Sequence, residues 1–330
     1  MWHVRFWVHE RSFHRWEGKP MILIRKTMYD TLVTLDHLEP DSWINLVNPS
    51  EEEVQRVALL QGVPLDFLVD PLDADERARL EVEDGVILLV LRVPVENTAD
   101  PRVPYITMPI GVVITPTAVI TVCRAQQDLV TEILNGRARQ VDTTHRLRFA
   151  ITLMQRSALA YLRCLKDINR RSDTIEQALQ ESMRNQEIID LLGIEKSLVY
   201  FTTSLKANDI IMDKVLRLRA VQLSEEEVDL LEDAITENRQ AIGMANIYSD
   251  ILSGTMDAFA SIISNNMNMV MKFLAGFTII LMVPNIISGI YGMNIALPMQ
   301  DWPHAFAILS ALAVGGVAAT WWWFARKRWL

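Results

Sequence analysis

Residues 273–291 read FLAGFTIILMVPNIISGIY, nineteen residues without a formal charge, and the chain continues Gly292-Met293-Asn294. As a helix this run spans about 30 Å, the thickness of a bilayer's hydrocarbon core, so it reads as a membrane span. Residues 305–325 form a second uncharged run, of twenty-one residues, and read the same way. Between Lys272 and Arg326 lie 53 residues with one formal charge, Asp301. The basic residues flank the pair, Lys272 before it and Arg326-Lys327-Arg328 after it. Lys and Arg are retained in the cytoplasm, so both termini are expected on the inner side and the loop 292–304 outside. Trp321-Trp322-Trp323 then falls at the inner headgroup level as an aromatic belt.

The first span has two faces. At 100° per residue, Asn268, Met271, Leu274, Thr278, Met282, Asn285 and Gly289 lie within about 60° of one direction. Phe273, Phe277, Ile280, Ile287 and Tyr291 take the opposite side. A polar stripe in a membrane must face protein or water. Periodicity alone leaves two readings open, packing between spans and lining of a water-filled path.

Upstream, Ser224-Glu225-Glu226-Glu227 is a capping box that opens a run without proline until Pro284. Sixty residues of helix would make a rod of about 90 Å, a stalk continuous with the first span; Gly243 and Gly254 offer the competing reading of a broken helix. Residues 126–224 read as helix, with a break expected at Gly193. Before them, β-rich runs at Ile22-Leu23-Ile24, Trp43–Val47, Val86–Val95, Ile110–Thr115 and Ala118–Val122 describe an α/β domain over 21–125. Thr115-Pro116-Thr117 joins the last two as a hairpin, and Ser50 with Glu53 caps a helix that ends at Gly62.

Charge follows the same division. The chain of 330 residues carries −9; residues 273–330 hold +2, so residues 1–272 hold −11. An acidic body repels a nucleic-acid backbone and suits a domain that meets cations. Cys123 and Cys164 form no C-x-x-C pair and read as inert thiols in a reducing compartment. No P-loop, G-x-S-x-G or H-E-x-x-H occurs, so an enzyme is not expected. Residues 1–20, with three Trp and three His but no apolar core, read as a flexible extension or a start assigned too early.

Tyr291-Gly292-Met293-Asn294, at the outer end of the penultimate span, resembles the Y-G-M-N signature of the CorA family of divalent-cation channels. Two C-terminal spans, a charge-poor outer loop, a basic tail and a long acidic helix accompany it. Trp43-Ile44-Asn45, Gly62-Val63-Pro64 and Leu68-Val69-Asp70 follow the family's order ahead of its sheet, so the resemblance covers residues 21–330. It implies an α+β cytoplasmic domain, a stalk helix over 225–291 that continues into the first transmembrane helix, an outer loop 292–304, a second span 305–325 and a basic cytoplasmic tail 326–330. The assembly implied is a funnel-shaped homopentamer in the inner (plasma) membrane, with the first span lining a pore for Mg2+ influx.

Carried over residue by residue, Gly292, Met293 and Asn294 would form the selectivity filter, with the Gly292 carbonyl and the Asn294 carboxamide in an outer ring. Thr278 and Asn285 offer further polar rings, and Met271 with Leu274 an apolar constriction that closes by dewetting. The family's regulatory Mg2+ site pairs an acid of the α/β domain with one on a neighbouring stalk; the matching positions are Asp70 and Asp233, with Asp257 as a further stalk acid. Mg2+ is therefore expected as both cargo and regulator, with no organic cofactor. The partners expected are other copies, lipid and divalent cations. Many relatives carry Met-Pro-Glu-Leu after the signature, where this chain has Leu297-Pro298-Met299-Gln300 and then Asp301. A zinc, cobalt or nickel transporter and a membrane-tethered cation sensor without transport are the alternatives.

Overall fold

The computed structural model describes residues 21–29, 31–134, 141–182, 185–218, 223–295, 297–298 and 302–327, and divides into two compact units, one ending at Ser253 and one starting at Gly254. The expected N-terminal extension, Met299-Gln300-Asp301 and the last three residues of the tail lie outside the described residues.

The first unit is built on a sheet of seven strands among the described residues: β1 (Met21–Met28), β2 (Thr31–Leu35), β3 (Ser42–Val47), β4 (Arg79–Glu83), β5 (Val86–Glu96), β6 (Tyr105–Ile114) and β7 (Ala118–Cys123). Their order is β2-β1-β3-β7-β6-β5-β4; β3 and β7 run parallel, every other pair antiparallel. The central strands β3 and β7 are buried along their whole length, which is why they read as continuous apolar runs without alternation. Trp43 and Val47 face one layer while Ile44 and Leu46 face the other. Each such fully buried side chain contributes about 1.5–3 kcal/mol.

On one face lie α1 (Glu51–Gln61) and α2 (Leu65–Val69), whose Val54, Val57, Phe67 and Leu68 pack on Ile44, Leu46 and Val90. The Ser50 hydroxyl accepts from the Glu53 N–H while the Glu53 carboxylate accepts from the Ser50 N–H, and Gly62 closes the helix at φ 63°. On the other face lie α3 (Asp128–Leu134), α4 (Arg146–Ser182), α5 (Asn185–Leu216) and the start of α6. Phe149, Leu153, Ile211, Leu231 and Ala234 there cover Trp43, Leu89 and Val112. The β6–β7 hairpin closes through a Thr115 N–H to Ala118 carbonyl bond of 2.9 Å.

One reading needs correction. Gly193 does not break a helix; it lies inside α5, where a Cβ would come within 1.7 Å of the Arg102 carbonyl oxygen. The glycine marks the close approach of the loop before β6 rather than a terminus. The continuous reading of α6 holds: it is one helix over Glu225–Tyr291 that Gly243 and Gly254 do not interrupt, and a Cβ at either would meet open space, so each costs only its helix propensity of about 1 kcal/mol. The Ser224–Glu227 capping box starts it.

The second unit holds the membrane part of α6 and α7 (Ala305–Arg326). Both are long and apolar enough to cross a membrane, and almost none of their apolar surface is covered, unlike the core helices of a soluble protein.

Candidate ion pathway and control acids

In the second unit α6 has a covered and an uncovered side. Gly276 and Ile280 are buried, and Val283, Pro284, Ile287 and Tyr291 are half-buried. At 100° per residue these six fall within about 50° of one direction. Gly316 of α7 lies on that side, close enough that a Cβ would come within 2.6 Å of Val283 Cγ1. Asn268, Met271, Leu274, Thr278, Met282, Asn285 and Gly289 are all exposed and point the opposite way. The polar stripe of the first span therefore faces away from the chain's own second span. Left against lipid, its amide groups would go unpaired, so this face requires water or further protein.

The stripe presents oxygen. The Thr278 hydroxyl donates to the Leu274 carbonyl at 2.8 Å, which leaves its lone pairs outward as an acceptor for a cation. Met271 and Leu274 are more than half exposed on the same side and form its apolar segment. Asp257, also exposed, lies eleven residues before Asn268 on the same side of α6, so it belongs with the stripe by helical phase.

At its C-terminal end, α6 finishes in a tightened turn. The Gly292 N–H bonds the Ser288 carbonyl at 2.9 Å, and the Met293 N–H reaches the Ile290 carbonyl at 3.2 Å. Beyond these the last carbonyls of the helix have no intrahelical donor, and the helix dipole places partial negative charge there. Gly292, Met293 and Asn294 are all exposed at this end. A helix C-terminus, backbone carbonyls and a carboxamide make a neutral, oxygen-rich group suited to a hard cation that keeps its water.

The candidate control acids Asp70 and Asp233 lie in the first unit. Asp70 opens a 3-10 turn, Asp70–Leu72, whose Pro71 rests on Gly111 of β6; a Cβ at Gly111 would approach the Pro71 ring to 2.5 Å. The Arg92 guanidinium donates to the carbonyls of Ala74 at 3.1 Å and Glu76 at 2.7 Å and so fastens the following loop to β5. Asp70 Oδ2 accepts from Arg79 at 2.7 Å, and the same guanidinium binds Glu76 and, at 3.1 Å, Glu81. Burial alone would lower the Arg79 pKa; the Asp70 hydrogen bond and the three acids outweigh it and leave it raised. Asp233 is exposed on α6 beside buried Leu231 and Ala234. One turn on, burial pushes the Glu237 carboxyl upward; the Gln155 hydrogen bond opposes this and the Asp233 charge adds to it. Among the described residues no group of three His, Cys, Asp or Glu is placed to hold a metal within one chain.

A family model described as CorA-like Mg2+ transporter protein matches residues 42–328. The chain belongs to the CorA family. The cobalt/magnesium transport protein CorA of Methanocaldococcus jannaschii is 26% identical over 298 residues, covering 87% of this chain and 91% of that protein. Its namesake in Thermotoga maritima is 25% identical over 298 residues, covering 88% and 83%. The complete structure of the CorA magnesium transporter from M. jannaschii matches with a TM-score of 0.82 at 24% identity, over 94% of this chain and 99% of that one. This likeness carries the CorA fold: an α+β domain, a long helix and two C-terminal apolar helices.

Sequence reasoning missed Arg79 and Arg92. Nothing in a linear pattern shows that a strand arginine is the partner of Asp70 nine residues earlier. The only available signal was the density of acids from Asp70 to Glu83 around Arg77 and Arg79.

Proposed function

We propose that this CorA-family chain assembles as a pentamer whose first spans enclose a channel for passive Mg2+ entry into the cytoplasm. One observation carries the reading: the polar stripe of α6 points away from α7 and ends in Gly292-Met293-Asn294 at the helix C-terminus. Copies arranged about an axis bury that face against water, with α7 outside toward lipid. The names of the relatives, cobalt/magnesium transport protein, support the cargo. Neutral oxygens at the mouth favour hydrated Mg2+ without trapping it, whereas a carboxylate ring would slow its release. The membrane potential supplies about 4.6 kcal/mol per divalent ion for each 100 mV.

Met271 and Leu274 form the constriction, and Asp257 attracts cations on the cytoplasmic side of it. Lys272 and the Arg326-Lys327 tail hold both ends of the hairpin to the inner membrane surface. Asp70 and Asp233 of adjacent copies form the regulatory site. Carboxylate oxygens fit a hard divalent cation, and a bound Mg2+ would supply the positive charge that lets two carboxylates approach. Without it their repulsion loosens the cytoplasmic ring and the pore opens. The protein is a transporter without a catalytic step.

Cobalt is the second reading, favoured by the exposed thioethers of Met271 and Met282 on the stripe, which suit softer metals. Competitive uptake of Mg2+, Co2+, Ni2+ and Zn2+ into liposomes holding the purified protein tests both. Mg2+ flux that the others compete with is expected; no flux of any ion would leave a membrane-tethered sensor.

A further inference from the structure

The proposed regulatory acid Asp70 already has a cation. Arg79 of the edge strand β4 places one guanidinium among Asp70, Glu76 and Glu81, and only about a third of the Asp70 side chain, 37%, remains accessible. The arginine is held from its own side, 30% exposed, so it is not a freely waving surface charge. Its loop is also pinned, by Arg92 to the Ala74 and Glu76 carbonyls and by Pro71 to Gly111. The arrangement keeps a permanent positive charge beside the carboxylate that has to meet a soluble one.

We infer that Arg79 is a built-in competitor for Asp70 and sets the cytoplasmic Mg2+ concentration at which the channel closes. The inference rests on Asp70 belonging to the regulatory site. Asp70 Oδ2 accepts from Arg79 in the single chain; to serve a divalent ion it must share that oxygen or turn away from the guanidinium. Either way the ion meets repulsion from Arg79, so a higher concentration is needed to close the ring. Glu76 and Glu81 keep Arg79 in place when Asp70 turns, which makes the exchange reversible without unfolding the loop. One unit charge about 6 Å away repels a divalent ion roughly tenfold at the dielectric constant of water. Neutralising Arg79 should therefore shift half-closure to about tenfold less Mg2+.

The test titrates MgCl2 against the detergent-solubilised full-length protein and reads protection of the stalk from limited proteolysis, with Mg2+ flux in liposomes alongside. Arg79→Gln and Arg79→Met, neutral side chains of different polarity, should both reach half-protection at about a tenth of the wild-type Mg2+ concentration. Arg79→Lys should stay within about twofold, because the charge remains. Asp70→Asn should lose the response in either background. If Asp70→Asn loses Mg2+ protection while both neutral Arg79 variants titrate like wild type, Asp70 is the sensor and the role given to Arg79 is wrong. If Asp70→Asn titrates like wild type, the sensor assignment falls, and the inference with it. Size-exclusion profiles identify a misassembled variant; should Arg79→Gln be one, Arg79→Met carries the test.

Discussion

The two units of this chain solve the burial problem in opposite ways. In the first, β3 and β7 are covered on both faces by helices of the same chain, and Trp43, Phe67 and Tyr161 are fully enclosed. In the second, Met271, Leu274, Phe277 and Met282 stand about half exposed, and the polar residues beside them are exposed too. One chain is a sufficient solvent for its sheet but not for its spans. Lipid can cover the apolar side of the hairpin, but it cannot cover Asn268, Thr278 and Asn285. The contrast predicts that substitutions in the buried core of the first unit act on stability and those on the α6 stripe act on ion movement.

The largest effect is expected at the proposed mouth. Asn294→Ala should abolish Mg2+ flux into liposomes while the size-exclusion profile stays that of wild type, since Asn294 is exposed in the chain. Wild-type flux from a correctly assembled variant would remove Asn294 from the pathway.

Trp43→Ala should act in the reverse manner. It empties a site between two layers and takes the indole N–H from Thr121, bonded at 2.8 Å. A loss of about 3–5 kcal/mol is expected for a buried aromatic. Phe273→Ala, at a side chain 55% exposed on α6, should change stability by less than about 0.5 kcal/mol. Denaturant midpoints of the two variants check this, and equal losses would break the contrast.

Leu274→Ser should raise the resting leak at closing Mg2+ concentrations, because a hydroxyl in the constriction favours wetting. Conductance indistinguishable from wild type would return Leu274 to packing.

The smallest effect is electrostatic. Burial raises the Glu237 carboxyl above its ordinary 4.5, so the native state binds its proton more tightly than the unfolded chain does. Its contribution is complete below 4.5 and is lost as pH rises through the raised value. Glu237→Gln should therefore flatten the fall in thermal stability on going from acid to neutral pH, read as the difference in Tm between the two. A variant with the wild-type slope would place that pH dependence elsewhere.

Much of the fold was legible because its signals are one-dimensional. The length and phase of residues 268–291, the two capping boxes and the continuous apolar runs of β3 and β7 are properties of neighbouring residues. What was not legible depends on distant ones. The edge strands β2 and β4 are short and have no fully buried residue, so TLVTL and RLEVE carry little hydrophobic pattern. Gly193 reads as a breaker until the Arg102 carbonyl is seen above it. In the candidate site, the stripe could be phased from sequence, but the side it turns away from could not. That needed Gly316 against Val283. The ion pairs of Arg79 were hidden for the same reason.

The parallel pairing of β3 with β7 has a consequence for the order in which the molecule is made. The β1–β2 and β1–β3 pairs and the run from β4 to β7 are antiparallel neighbours that can zip locally. Ser42 and Ala118 are register partners, so the join between these two halves waits until the chain has been synthesised past Cys123. Trp43, Thr121 and Asn45 are hydrogen-bonded in series across that seam, at 2.8 Å each, and lock it once it forms. Every residue needed for the seam leaves the ribosome well before Phe273. The sheet can thus be complete while the spans are still inside the ribosome, and a chain stalled at the seam would deliver its hairpin to the membrane with an unfinished domain behind it.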